Sequence, residues 1–254
     1  MNMTDGRGGV EELRRMLEAS RRAVAFTGAG ISTESGIPDF RSPGGFWTKY
    51  QPIQFGDFLA SREMRVESWR RKIATDEAFS RAAPNRGHRA IASLVSRGKV
   101  GSVITQNIDG LHQRSGIPEE RVIELHGNGT YAACLGCGKR YDLAPIFAAF
   151  KADAEPPVCE HCGGFIKTAT ISFGQPMPAD AMRRAKAESE NCDLFLALGS
   201  SLVVYPAASF PLIAKRNGAR LVIINRDPTD FDDLADLVLN LEIGETLGAA
   251  TRTP

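Results

Sequence analysis

The stretch AVAFTGAGISTESGIPDFRS, residues 23–42, runs from four apolar residues into two glycines separated by one alanine. Ala23 to Phe26 reads as a buried strand that Gly28 and Gly30 break. Glycines at a strand end let the backbone approach a pyrophosphate, with amide donors at the start of the next helix. An ordinary strand-to-helix turn would need only one glycine. The spacing is not the full G-x-G-x-x-G fingerprint, because Thr33 stands where its last glycine would be. Pro38 fixes its own φ and pushes Ile37 towards extended backbone, so Asp39, Phe40 and Arg41 are presented from a constrained loop. There Phe40 could cover a ligand ring and Arg41 meet a phosphate. The competing reading buries Phe40 in the core and leaves Arg41 solvated.

Outward from this stretch, strands and helices alternate. Apolar spacing predicts a helix at 10–19, helical character from about 57 to 79, and helices at 88–95, 181–188 and 206–216. Apolar runs predict strands at 100–105, 122–125, 170–173, 194–198, 221–224 and 237–241. Strands that are apolar throughout, alternating with helices, indicate an α/β fold with a parallel sheet covered on both faces. The stretch 131–167 breaks the alternation and reads as an insertion. Five predicted strands end in small or polar residues: Gly28-Ala29-Gly30, Gln106-Asn107, His126-Gly127, Gly199-Ser200-Ser201 and Asn225. Open parallel sheets bind ligands outside the carboxyl ends of their strands, so these ends mark the expected site.

Composition narrows the possibilities. The 254 residues carry 31 Lys+Arg against 30 Asp+Glu, so no overall basic field would draw nucleic acid. With 43% hydrophobic and 24% charged residues the chain reads as globular. No apolar run approaches the roughly 20 residues that span a bilayer, and the first residues lack a secretory apolar core. A cytoplasmic protein without nucleic-acid or membrane binding is expected.

TQNIDGLH, residues 105–112, places Gln106, Asn107 and Asp109 at a strand end, where they can bond ribose hydroxyls, a carboxamide or a water. Their alternative role is turn formation. His126 ends another strand and suits a general base at neutral pH, although a lone His before Gly is often structural. His88 and His112 read as structural. Of five cysteines, four form the pairs Cys134/Cys137 and Cys159/Cys162 with 21 residues between the pairs, each followed by a glycine able to turn the chain under a metal. Four thiolates match a closed, tetrahedral, structural Zn²⁺ site; a redox pair or an iron–sulfur cluster is the competing reading. Cys192 reads as core packing.

Taken together, GAGIS…GIPDFR, TQNIDGLH, His126-Gly127, the two Cys-x-x-Cys pairs, ISFG at 171–174, GSSL at 199–202 and IN at 224–225 resemble the sirtuins, NAD-dependent protein-lysine deacylases. The motifs follow family order over roughly residues 20–245. The resemblance implies a Rossmann-like domain, residues 1–130 and 168–254, with a helical lobe at about 44–85 and the zinc-binding insertion 131–167. It implies that Gly28, Ala29, Gly30, Thr33, Asp39, Phe40 and Arg41 line the cofactor loop, and that Gln106, Asn107, Ile108 and Asp109 meet the nicotinamide ribose and carboxamide. Gly199, Ser200 and Ser201 would bind phosphate and ribose; Asn225, Arg226, Asp227 and the backbone of Ile243 would take the adenosine end. The acyl-lysine would thread between Phe173-Gly174 and Val203, with His126 as base and Asn107 holding ribose or water. NAD would be consumed, and one Zn²⁺ would sit on Cys134, Cys137, Cys159 and Cys162. Gln175 departs from the usual Glu after Phe-Gly, which leaves the bonding of that loop open. Two other readings are a mono-ADP-ribosyltransferase using the same pocket and a non-catalytic NAD- or acyl-lysine-binding scaffold.

Overall fold

The computed structural model describes residues 6–39 and 51–253. Helix α1 (Gly6–Ala19) buries Leu13, Met16 and Leu17 and begins four residues before its apolar stripe, where glycines give periodicity nothing to show. Strand β1 (Ala23–Thr27) follows, fully buried, and the chain then tightens into a 3₁₀ turn over Ala29–Ser35. Helices α2 (Phe55–Ala60) and α3 (Arg62–Arg81) replace the single helix expected from about 57 to 79. Ser61 separates them: its backbone is extended and its hydroxyl accepts from Met64 N–H at 3.2 Å, an N-cap that starts a new helix.

The rest runs α4 (Arg86–Ser96), β2 (Val100–Thr105), α5 (Leu111–Arg114), β3 (Val122–Glu124), β4 (Gly127–Cys134), β5 (Arg140–Tyr141), α6 (Leu143–Asp153), β6 (Ile166–Thr170), α7 (Ala179–Asn191), β7 (Leu194–Leu198), α8 (Ser209–Arg216), β8 (Arg220–Ile224), β9 (Leu237–Leu239) and α9 (Ile243–Thr251). Six strands form one parallel sheet in the order β3-β2-β1-β7-β8-β9. Side chains alternate across it. Ala23 and Ala25 of β1 face a core with Leu13, Ile91, Leu94 and Leu247, whereas Val24 and Phe26 face one with Ala185, Phe210 and Ala214. Helices α1, α4 and α9 therefore cover one face, and α7 and α8 the other.

A second, antiparallel sheet has the order β5-β4-β6. The expected strand at 170–173 is displaced: β6 covers Ile166–Thr170, pairs with β4 from Gly127 to Cys134, and has ended before Ser172. Strand β4 carries GNGTYAAC, too small and too glycine-rich to stand out as a strand. Trp69 of α3 packs with Ala132, Leu143, Ile146, Phe150 and Ile166, which fastens the second sheet to the helical segment.

Candidate functional site

The carboxyl ends of β1 and β7 meet at two glycine pairs. A Cβ on Gly28 would lie 2.6 Å from Gly199 O, and one on Gly30 would lie 2.7 Å from Gly199 Cα. Gly199 itself adopts φ +63°, and a side chain there would strike Ile31 N. Gly28 N–H donates to Leu198 O and Gly30 N–H to Gly199 O. The glycines thus let two strand ends close on each other, and their own amides are spent in doing so. Thr33 Oγ1 returns to Gly30 O at 2.9 Å, and Glu34 accepts from Gly244 N–H at 2.7 Å, capping the start of α9 beside Ile243, which is buried.

Across this turn lies the end of β2. Asn107 is buried and donates through Nδ2 to Gly28 O at 3.0 Å and to Ser32 Oγ at 3.3 Å. Its amide oxygen has no hydrogen-bond partner among the described residues. Ser32 Oγ donates to Asp109 Oδ2 at 2.7 Å, and Leu111 N–H donates to Asp109 Oδ1 at 2.9 Å. Burial raises the Asp109 carboxyl above its usual range, and these two bonds oppose the shift. Ile108 O accepts from Gly129 N–H at 2.7 Å, and Gln106 Nε2 donates to Ser200 Oγ at 2.9 Å. Ser32 closes the GAGIS motif, where the sequence reading gives it no role, yet it joins the glycine turn to the Asn107–Asp109 loop.

His126, just past β3, lies over the same loop. Its Nδ1 is 3.0 Å from Gln106 O. A carbonyl can only accept, so Nδ1 carries the proton and Nε2 keeps a lone pair. Burial pushes the imidazole below its ordinary 6.5, against the raising effect of the Gln106 bond, so it is neutral at pH 7. Glu124 anchors this turn from beneath by accepting from Gln113 Nε2 and Asn128 Nδ2, both at 2.7 Å.

The structure brings Gly28, Ala29, Gly30, Thr33, Gln106, Asn107, Ile108, Asp109, His126, Gly199 and Ser200 to adjoining strand ends. Ser201 is exposed at the β7 end, and Asn225, Arg226 and Asp227 continue from β8; Asn225 Nδ2 bonds Asp227 O at 2.7 Å. Asp227 bonds the Arg226 guanidinium, and the charges of Asp39 and Glu242 also act on it. Phe40 and Arg41 lie outside the described residues. Phe173 and Val203 are 46% and 47% exposed. The Phe173 segment leaves directly from the histidine: Ile171 N–H donates to His126 O at 2.8 Å, and Phe55 N–H to Phe173 O at 2.8 Å. Gln175 answers the open question about its loop. Its Oε1 accepts from Ser172 N–H at 3.2 Å, the bond a carboxylate would accept, without placing a charge there.

The four cysteine sulfurs all lie within 4.8 Å of one another. Cys134 and Cys162 sulfurs are 3.4 Å apart, and Cys137 and Cys159 sulfurs 3.7 Å. A tetrahedron with Zn–S of about 2.3 Å has edges of about 3.8 Å, whereas a disulfide would need about 2.05 Å. The spacing fits a metal and not a bridge. Gly138 and Gly163 adopt φ +75° and +72° after their cysteines, as the knuckle turns require. Tyr141 OH donates to Cys159 Sγ at 3.0 Å and, chiefly through that bond, brings the thiol down to about 6, which favours the thiolate a metal binds. Cys192 is buried, with its thiol pushed up to about 12 by burial, and takes no part.

Fold and site together define a Rossmann-like α/β protein whose polar strand ends adjoin one another, with a module of four cysteines placed to hold a metal. The sequence model of the Sir2 family matches residues 28–206, and the chain belongs to that family. It is 61% identical over 245 residues to NAD-dependent protein deacetylase 1 of Bradyrhizobium diazoefficiens, covering 96% of both chains. It is 58% identical over 240 residues to an NAD-dependent protein deacetylase of Rhodopseudomonas palustris, covering 94% of this chain and 95% of that one. A solved Sir2–p53 peptide–NAD⁺ complex superposes with a TM-score of 0.85 at 38% identity, covering 99% of this chain and 98% of that one.

Proposed function

We propose that this chain is an NAD-dependent protein-lysine deacetylase that moves the acyl group from a lysine side chain to ADP-ribose and releases nicotinamide. The observation that carries the reading is the bond from His126 Nδ1 to Gln106 O, which leaves Nε2 a free base above the Asn107–Asp109 loop. Bound NAD supplies an electrophilic ribose carbon with a pyridinium leaving group, so no acid is required to protonate it. The residues do the rest. Asp109, with the Ile108 backbone, receives the carboxamide, while Gln106 and the open oxygen of Asn107 hold the nicotinamide ribose or an ordered water. His126 Nε2 takes the proton from a ribose hydroxyl, as a general base with a neutral imidazole can. Gly199, Ser200 and Ser201 meet phosphate and ribose, and Asn225, Arg226, Asp227 and Ile243 the adenosine end. Asp39, Phe40 and Arg41 complete the cofactor loop.

The acyl-lysine passes between Phe173-Gly174 and Val203, whose exposed apolar surfaces suit its aliphatic stem. Cys134, Cys137, Cys159 and Cys162 would hold one Zn²⁺ as a closed structural site. Paired cysteines kept for a metal rather than for disulfides suit a reducing compartment, which supports a cytoplasmic location. The division into residues 1–130 with 168–254, a helical segment at about 44–85 and the insertion 131–167 belongs to the same proposal. The test is nicotinamide release with and without an acetyl-lysine peptide. Release that needs the peptide fits deacylation; release without it, alongside a labelled protein acceptor, would indicate ADP-ribosyl transfer instead.

A further inference from the structure

Two buried imidazoles lie behind the site and take no part in the scheme above. His88 is fully buried, His112 is 1% exposed, and their ring centroids are 5.0 Å apart. His112 Nε2 lies 2.9 Å from Thr27 Oγ1. Thr27 Oγ1 donates to Thr105 Oγ1 at 2.8 Å, and Asn107 N–H donates to the same Thr105 oxygen at 3.0 Å. Thr27 and Thr105 are the last residues of β1 and β2 and stand opposite each other in the parallel register. An amide can only donate, so it occupies one lone pair of Thr105, and the single hydroxyl proton of Thr27 occupies the other. With its proton directed at Thr105, Thr27 offers His112 a lone pair, which an Nε2–H meets. Nδ1 is left as a lone pair, and it has no partner among the described residues. Burial holds His112 well below the ordinary 6.5, so the ring carries one proton at neutral pH.

We infer that His112 is a positioning residue for the reaction, fixing Asn107 through the hydroxyls of Thr27 and Thr105. The inference rests on the reading of Asn107 as a group that touches the co-substrate. The chain ends on the backbone amide of Asn107, and the side-chain Nδ2 of the same residue is held by Gly28 O and Ser32 Oγ. Asn107 is therefore fixed from two sides, which leaves its Oδ1 with one direction to face. His88 extends the brace to the glycine turn. It forms a capping box with Asn85 at the start of α4, and Asn85 Nδ2 donates to Ile31 O at 2.7 Å and to Ser35 Oγ at 3.0 Å. The imidazole pair thus packs between the loop that holds Asn107 and the turn that faces it. Deleting one hydroxyl in a buried network leaves its partners unsatisfied and free to shift.

The experiment is steady-state kinetics in NAD on Thr27→Val, Thr27→Ser, His112→Gln and Asn107→Ala, with thermal melts of each. Valine suits a buried strand and nearly matches threonine in volume, so Thr27→Val folds. The expected result is a loss of about tenfold or more in kcat/KM for NAD in Thr27→Val, equivalent to about 1.4 kcal/mol. Thr27→Ser restores most of it, and Thr27→Val/His112→Gln is no worse than the poorer single variant. A purely structural hydroxyl would lower the melting temperature and leave kcat and KM of the folded enzyme at wild-type values, and that result overturns the inference. Thr27→Ser as slow as Thr27→Val overturns it too. An active Asn107→Ala would remove the reading of the site on which the inference rests, whereas an inactive Asn107→Ala beside wild-type Thr27→Val kinetics removes this inference alone.

Discussion

His126 and Gln106 are joined by an imidazole Nδ1 and a backbone carbonyl 3.0 Å apart, and this single contact assigns the tautomer of the ring. A strand end from β2 thereby orients a side chain that follows β3, and the free Nε2 results from that geometry. His126→Ala is expected to lose about 10²-fold or more in deacylation, the usual range for a general base. NAD affinity, measured by calorimetry, should stay within a few-fold. Because burial lowers the imidazole below 6.5, the neutral, proton-accepting form persists as pH falls through 6.5. The acid limb of the kcat/KM profile should accordingly lie below that value. An acid limb centred above pH 7, or wild-type turnover in His126→Ala, would take the base role away from this residue.

The thiolate tetrahedron predicts one Zn²⁺ per chain. Cys162→Ser should lose the metal and lower the melting temperature, since closed sites contribute folding free energy. Trp69 of α3 packs against the metal module, so activity should fall with the metal although no cysteine touches substrate. Elemental analysis finding iron, or a metal-free variant with full activity, would contradict the assignment.

Neutral acyl groups should be preferred over acidic ones. Arg70 and Arg71 of α3 both bond the carboxylate of Glu67, at 3.0 and 2.7 Å, and Arg71 also donates to Gln51 O at 2.6 Å. No tyrosine lies between Tyr50 and Tyr131 to supply a phenol beside them. A buried carboxylate without partners is costly. Acetyl-lysine should exceed succinyl-lysine by at least about tenfold in kcat/KM, which needs only about 1.4 kcal/mol of differential transition-state binding. Matched peptides at saturating NAD decide it; equal or faster succinyl removal would show an arginine reaching the acyl group.

Lys167 on β6 is 4% exposed and, among the described residues, donates to the carbonyls of Thr168 and Thr170. Burial alone brings it down to about 8. The unfolded chain therefore binds the extra proton between about pH 8 and the free lysine value of about 10.4, and stability gained from this residue rises with pH across that window. Below about pH 8 the burial penalty is fully present. Melts of wild type and Lys167→Met at pH 7 and pH 9.5 should show the difference shifting in favour of wild type at the higher pH. A difference independent of pH would mean the ammonium is better solvated than its carbonyl partners suggest.

Much of the fold was legible because a parallel sheet writes itself as continuous apolar runs. Strands at 100–105 and 194–198 sit where their sequence places them. The second sheet was not legible, because Gly127–Cys134 is held by pairing with β6 and by the metal module rather than by its own side chains. The break between α2 and α3 depended on the backbone of Ser61, which hydrophobic spacing cannot register. At the site, motifs named the strand-end residues, but the glycines proved to serve contact between β1 and β7 ends. Ser32 and Thr27 act through contacts 77 and 78 residues away, and Glu124 ties Gln113, 11 residues back, to Asn128, none of which a local apolar pattern registers.

The central claim is that the acyl group leaves lysine for ADP-ribose, with His126 as the base. The most direct measurement is mass-spectrometric quantification of all products from NAD and an acetyl-lysine peptide. The expected result is nicotinamide, deacetylated peptide and O-acetyl-ADP-ribose in equal amounts. Free acetate with intact NAD, or ADP-ribose attached to a protein acceptor with the acetyl-lysine untouched, would contradict it.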